Sequence, residues 1–188
     1  MEPLVINRAP GDLELVRAFI NSRNIEAETD DLSSPEQLRA WLAGRGLVRG
    51  DEPLSPGDFE RAIRVRQALH GLVLAHNERR MDAAPAALLN RDTAGSMLLV
   101  RFAEDGSASL VPGAGGIDGA LGMLMAIVYT AMLEGTWHRL KACRNDGCQW
   151  AFYDPSRNRS GAWCSMAICG SRLKSKAYRR RHKPAPAH

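Results

Sequence analysis

All four cysteines of this 188-residue chain lie after residue 142, at Cys143, Cys148, Cys164 and Cys169. They form two pairs of equal spacing, with four residues between the members of each pair and fifteen between the pairs. Four thiolates satisfy the tetrahedral preference of structural zinc and leave no open position for chemistry. Asp146-Gly147 and Cys169-Gly170 put turn-forming residues beside the ligands. The segment between the pairs has few large apolar residues beyond Trp150, Phe152, Tyr153 and Trp163, so a metal would have to supply its folding free energy. No charged start, apolar run and small-residue cleavage site is read at the N-terminus, which predicts a reducing cytoplasm. There, clustered cysteines are ligands before they are disulfides. The C-x-x-C redox spacing is absent, whereas an iron–sulfur cluster would take the same four thiolates and spacing alone leaves it open. His138, five residues before Cys143, is a spare ligand that four cysteines make unnecessary.

The second chemical feature is charge. Residues 143–188 hold ten Lys/Arg against two Asp/Glu, while residues 1–142 are net −4 within a chain of +4. A one-sign block at one end predicts that the tail meets a polyanion and the body does not. On a helix after Cys169, Arg172, Lys176, Arg179, Arg180 and Lys183 share one side, with Leu173, Ala177 and Tyr178 free to pack. Arginines there suit phosphates and guanine edges alike. The bland alternative is a solvated basic tail.

The elements that must position these groups read as follows. Leu13, Val16 and Ile20 recur at helical spacing within residues 12–21. Ser34-Pro35-Glu36-Gln37 is a helix start with a capping box, Leu38, Trp41 and Leu42 form its buried face, and Gly44 is its stop. Ser55-Pro56-Gly57-Asp58 opens the longest helix, reaching toward residue 80, with Phe59, Ile63, Leu69 and Val73 inward and Arg61, Arg64 and Arg79 more exposed. A short helix is expected over 84–89. Leu98, Val100 and Phe102 alternate, Asp105-Gly106 turns, and Ala108 and Leu110 answer, which is a β-hairpin. A glycine-rich link over 112–116 leads to an apolar helix over 117–133. Its apolar run is shorter than the roughly 20 residues a bilayer needs, so no membrane is expected. A short helix carrying Trp137 and Leu140 then leads to the first cysteine. The predicted fold is α+β: a mostly helical domain with one hairpin over residues 1–140, then a zinc-stabilised module over 141–184 ending in a basic helix.

The residues of the tail resemble the CGNR zinc-finger family. The match runs through Cys143, Cys148, Phe152, Asp154, Ser156-Arg157, Trp163-Cys164-Ser165-Met166 and Cys169-Gly170-x-Arg172-x-Lys174. Residues 4–142 are similar to the ABATE domain that usually precedes it, in element order and in segments such as Asp31-Leu32-x-Ser34-Pro35 with Trp41-Leu42. The resemblance implies a bacterial transcription regulator linked to stress, with zinc on the four cysteines and DNA on the module. Arg157, Arg172, Lys174, Lys176, Arg179 and Arg180 would be its nucleic-acid contacts. Ser171 stands where the family name places asparagine, and Gly161-Ala162 stand where similar proteins often carry arginine, which predicts fewer polar contacts to nucleic acid.

No nucleophile elbow, H-E-x-x-H or comparable pattern is present, and residues 112–116 fail both glycine-rich phosphate-loop spacings. His70 and His76 are six apart and read as ordinary; Met123, Met125 and Met132 read as core. The expected function is therefore a DNA-binding regulator and not an enzyme. Its body would sense a small-molecule effector or form a homodimer. The rival is an adaptor whose zinc module meets RNA or an acidic protein.

Overall fold

The computed structural model describes residues 8–78 and 83–172. Helix α1 (Leu13–Ile20) buries Val16, Phe19 and Ile20 and stops at Asn21. A two-residue ribbon follows, β1 (Arg23–Asn24) antiparallel to β2 (Thr29–Asp30). Helix α2 (Pro35–Ala43) begins where its cap predicts: Ser34 Oγ accepts from the Gln37 amide at 3.3 Å, with proline in the first turn. Gln37 reaches back to Ser33 instead of Ser34, accepting from its amide at 2.8 Å. The left-handed step that ends α2 falls at Gly46, with φ of +69°, and Gly44 stays right-handed.

Helix α3 (Pro56–Glu78) opens on a reciprocal box: Ser55 Oγ accepts from the Asp58 amide, and Asp58 Oδ2 accepts from the Ser55 amide, both at 3.1 Å. It runs through the middle of the molecule and packs on α1, α2, α4 (Ala83–Asp92), α5 (Gly116–Leu133) and strand β5 (Leu140–Ala142). Ala62, Val65, Leu69 and Val73 are fully covered; Phe59 and Ile63, predicted to face inward, are half-buried. Arg61 and Arg64, predicted at more exposed positions, are half-buried and paired. Arg61 pairs with Asp118 of α5 at 2.7 Å and Arg64 with Asp92 of α4 at 2.7 Å. Hydrogen bonds from Arg91 and then Arg64 hold the Asp92 carboxyl down to about 2. Arg66, 3% exposed, grips both oxygens of Asp30 and so fixes the β1–β2 ribbon to α3. Three carboxylates of the body, Asp30, Asp92 and Asp118, are thus matched by arginines of α3. Arg79 lies outside the described residues.

Strands β3 (Leu98–Phe102) and β4 (Ala108–Pro112) form the hairpin that the alternation predicts, in register Leu98↔Pro112 to Phe102↔Ala108. Gly106 turns it with φ of +81°. Helix α5 alone among the described helices is long and apolar enough to cross a membrane, and 56% of that stretch is buried inside the fold. Trp137–Arg139 make one 3-10 turn; Leu140, expected in a helix with Trp137, instead opens β5. Its backbone is extended because β6 (Ala151–Tyr153) offers an antiparallel partner, Leu140 against Tyr153. The chain is mixed helix and sheet: a helical N-terminal part with small hairpins, followed by a cysteine cluster.

Candidate metal centre

The ladder between β5 and β6 continues one step past the strands, Cys143 N–H donating to the Trp150 carbonyl at 2.9 Å. The Asn145 carbonyl accepts from the amides of Cys148 and Gln149 at 2.8 and 3.0 Å, and this bends Cys148 back toward Cys143. The strained residue of this turn is Gln149, with φ of +49°, rather than the predicted Gly147. The second pair is set by Ser165, whose hydroxyl accepts from the Ile168 amide and whose carbonyl accepts from the amides of Cys169 and Gly170. These bonds wind Met166–Gly170 into one wide helical turn. Gly170 is closely packed: a Cβ there would stand 3.1 Å from the Met166 sulfur and 3.3 Å from the Trp163 ring, so those side chains would have to give way. Ser171, at the asparagine position of the family name, donates its hydroxyl to the Met166 carbonyl and closes the turn.

All four Sγ atoms lie within 4.8 Å of one another and all four cysteines are buried. Cys148 to Cys164 and Cys164 to Cys169 are each 3.7 Å apart. That is far beyond a disulfide bond of about 2.05 Å. It matches the edge of about 3.8 Å in a tetrahedron with metal–sulfur arms of about 2.3 Å. Hydrogen bonds from Cys148 and Cys164 push the Cys143 thiol down, and the same bonds push Cys148 and Cys164 up. Four thiolates this close would repel one another, and a bound cation would offset that repulsion. Asn145 Nδ2 donates to Cys169 Sγ at 3.7 Å, an outer-sphere bond that orients a ligand.

Below the sulfurs lies a buried ion pair that the sequence reading did not separate from the motif. Lys141 Nζ donates to Asp154 Oδ2 at 2.8 Å, to the Gly161 carbonyl at 3.2 Å and to the Arg159 carbonyl. Asp154 also accepts from the amides of Ser156 and Gly161 at 3.0 and 2.7 Å. Burial pushes its carboxyl up; the Lys141 and amide hydrogen bonds outweigh that and hold it down to about 2. A Cβ at residue 161 would fall 2.7 Å from the Asp154 carboxyl carbon, so Gly161 occupies the place of an arginine for a reason of space. The pair fixes the loop over 154–161, from which Arg157 and Arg159 project into solvent. Arg159 had no motif to mark it; its φ of +51° marks a tight turn.

The centre is clamped to the body. Asn21 at the end of α1 bonds both backbone groups of Ala151, each at 2.8 Å, as a neighbouring strand would. On α3, His76 Nδ1 meets the Leu140 carbonyl at 2.8 Å, Asn77 donates to the Ala142 carbonyl, and His70 Nε2 meets the Gln149 carbonyl at 2.9 Å. Burial pushes both histidines down, favouring the neutral ring that makes these bonds. Arg172, exposed at the end of the described chain, pairs with Glu26 in the β1–β2 turn. Lys174, Lys176, Arg179 and Arg180 lie outside the described residues, as does the predicted basic helix.

Fold and site define a helical domain carrying a four-sulfur zinc-finger-type module. Comparison with known families agrees: residues 139–182 match the CGNR zinc finger, and residues 13–134 match ABATE, described as "Putative stress-induced transcription regulator". The ABATE match spans more than half of the chain, and the protein belongs to that family. No curated protein matches the chain.

Proposed function

We propose that this protein is a cytoplasmic regulator that binds zinc through Cys143, Cys148, Cys164 and Cys169 and docks on DNA through the surface beside them. The observation that supports it best is the sulfur geometry, suited to zinc, next to the exposed Arg157 and Arg159 and directly before the basic run of residues 172–183. Metal binding would hold the 154–161 loop and the start of the basic segment on one side of the module, where both can meet a phosphate backbone. Arg172 would exchange the Glu26 carboxylate for a phosphate or base edge, an exchange of two exposed ion pairs that costs little. A catalytic role is not assigned, since four sulfurs complete the tetrahedron and exclude a substrate.

The test is a salt series on full-length zinc-loaded protein with selected and scrambled duplexes. Alanine at Lys176 or Arg179 should weaken all sequences together and lower the salt slope by about one unit. Alanine at Arg172 should relax preference at one position, at a cost of about 1–3 kcal/mol. Binding that is weak, indifferent to sequence and unchanged by these substitutions would replace the regulator by the adaptor reading, in which the module meets RNA or an acidic protein.

A further inference from the structure

A two-stranded hairpin is marginal in water unless one face is packed. That between β3 and β4 is packed only at its base. Leu98 points at α5, its Cδ2 standing 3.5 Å from where a Cβ of Gly122 would be. Alternation puts Val100 and Phe102 on the same face as Leu98, yet they are 61% and 72% exposed. The hairpin therefore rises from α5 toward its turn, and a cleft of about 560 Å³ opens beneath it, floored by Leu13, Met123 and Ile127 and rimmed by Asp12 and Glu134. Its other face is no better covered, for Leu99 is 52% exposed. Beside the cleft, the last turns of α5 leave Tyr129 and Leu133 in solvent. Most of the large exposed apolar side chains among the described residues thus lie in this one region, Met132 and Met166 being exceptions.

We infer that this surface is covered by the same surface of a second copy of the chain. Three observations select that occupant. The first is area. At about 200 Å² for a fully exposed large side chain, these residues present on the order of 800 Å², the share one partner contributes to a standard interface. Monomers rarely expose patches much above about 300–600 Å², and a second copy is the one partner present whenever the chain is. The second is self-complementarity, which a twofold interface requires because the patch must fit itself. The hairpin projects and the cleft beside it is recessed. The one basic residue of the hairpin, exposed Arg101, has the acidic rim of Asp12 and Glu134 as a counterpart. The third is the open edge of β3. Gly113 N–H bonds the Met97 carbonyl and Ala103 N–H bonds the Ser107 carbonyl, so Leu99 and Arg101 face β4 in the ladder between them. The amides of Val100 and Phe102 point to the outer edge, on which no described strand pairs.

The test uses the full-length zinc-loaded protein in sedimentation equilibrium from about 1 to about 100 µM. The expected mass is twice 20.6 kDa. Phe102→Glu and, separately, Leu133→Glu should each raise the dissociation constant at least about 100-fold. Both positions are exposed in one chain, so helix content and zinc should be retained. Hydrogen exchange on the wild type provides a reading that needs no variant: residues 98–112 and 129–133 should lose protection on dilution while 62–73 keep theirs. A single 20.6 kDa species at the top concentration overturns the inference, with or without a small amphipathic molecule in the cleft. So does a dimer that survives both substitutions. The result is independent of whether the tail binds DNA.

Discussion

The body and the cysteine module solve the same problem with different means. The body covers Leu, Val and Phe side chains from α3 and the four helices around it, and several of its charged groups pair at the margin of that core. Among its described residues the module has one buried aromatic, Phe152, four cysteines, and Trp150, Trp163 and Ile168 half-covered around them. Where the body excludes water by area, the module must do so with a metal, one buried ion pair and hydrogen bonds borrowed from the body. The contrast teaches that the two are unequal partners. The body's core extends through Leu140, Ala142 and Ala151 into the module's hairpin, while the sulfur cluster stands apart from it.

The strongest way to break the comparison is to remove the metal. Chelation, or Cys148→Ser, should unfold residues 143–172 and leave the helix signal of α1 to α5 nearly unchanged, read by circular dichroism and hydrogen exchange. A body that melts with the module would show that the two share one cooperative unit. Next in size is Asp154→Asn. It leaves the Lys141 ammonium, 6% exposed, without its carboxylate, and removal of one partner of a buried pair costs about 3–5 kcal/mol. Chemical denaturation with a probe in the module should register that loss, and Lys141→Met added to it should recover part.

Asn21→Ala sharpens the contrast from the body's side. It leaves the Ala151 amide without its side-chain partner and its carbonyl with only the longer bond from Arg17 Nη1 at 3.3 Å, at a cost of about 1–3 kcal/mol. The loss should appear as faster exchange in 140–153 with α3 and α5 unaffected. The smallest effect concerns pH. His76 is half-buried, and that burial pushes its pKa below the ordinary 6.5, so the unfolded chain binds the proton more readily. Stability from this group is complete above pH 6.5 and falls as pH drops below it, toward the folded value. His76→Gln, which still donates to the Leu140 carbonyl, should flatten the slope on the acid side of 6.5 in metal-loaded protein. An unchanged slope would assign the pH dependence to other groups.

Much of the molecule was legible in the chain because its signals are local. The caps at Ser34 and Ser55, the Asp105-Gly106 turn and the helical spacing of Leu13, Val16 and Ile20 each act within a few residues, and each element begins or turns where these residues predict. The paired cysteines were likewise readable, since tetrahedral sulfur ligation leaves a spacing in the sequence. The partners of the charged and polar groups were not. Arg66 with Asp30 and Lys141 with Asp154 are 36 and 13 residues apart, and Asn21 with Ala151 are 130 apart. No periodicity encodes such pairs, because the free energy that selects them is the cost of burying a charge or a backbone amide alone. That cost exists only once the fold has removed the water. For the same reason composition could show that the body is acidic, but only the packing of α3 showed that its arginines are already matched. The alternation of β3 predicted the hairpin, and only its lift away from α5 revealed that Val100 and Phe102 are uncovered within one chain.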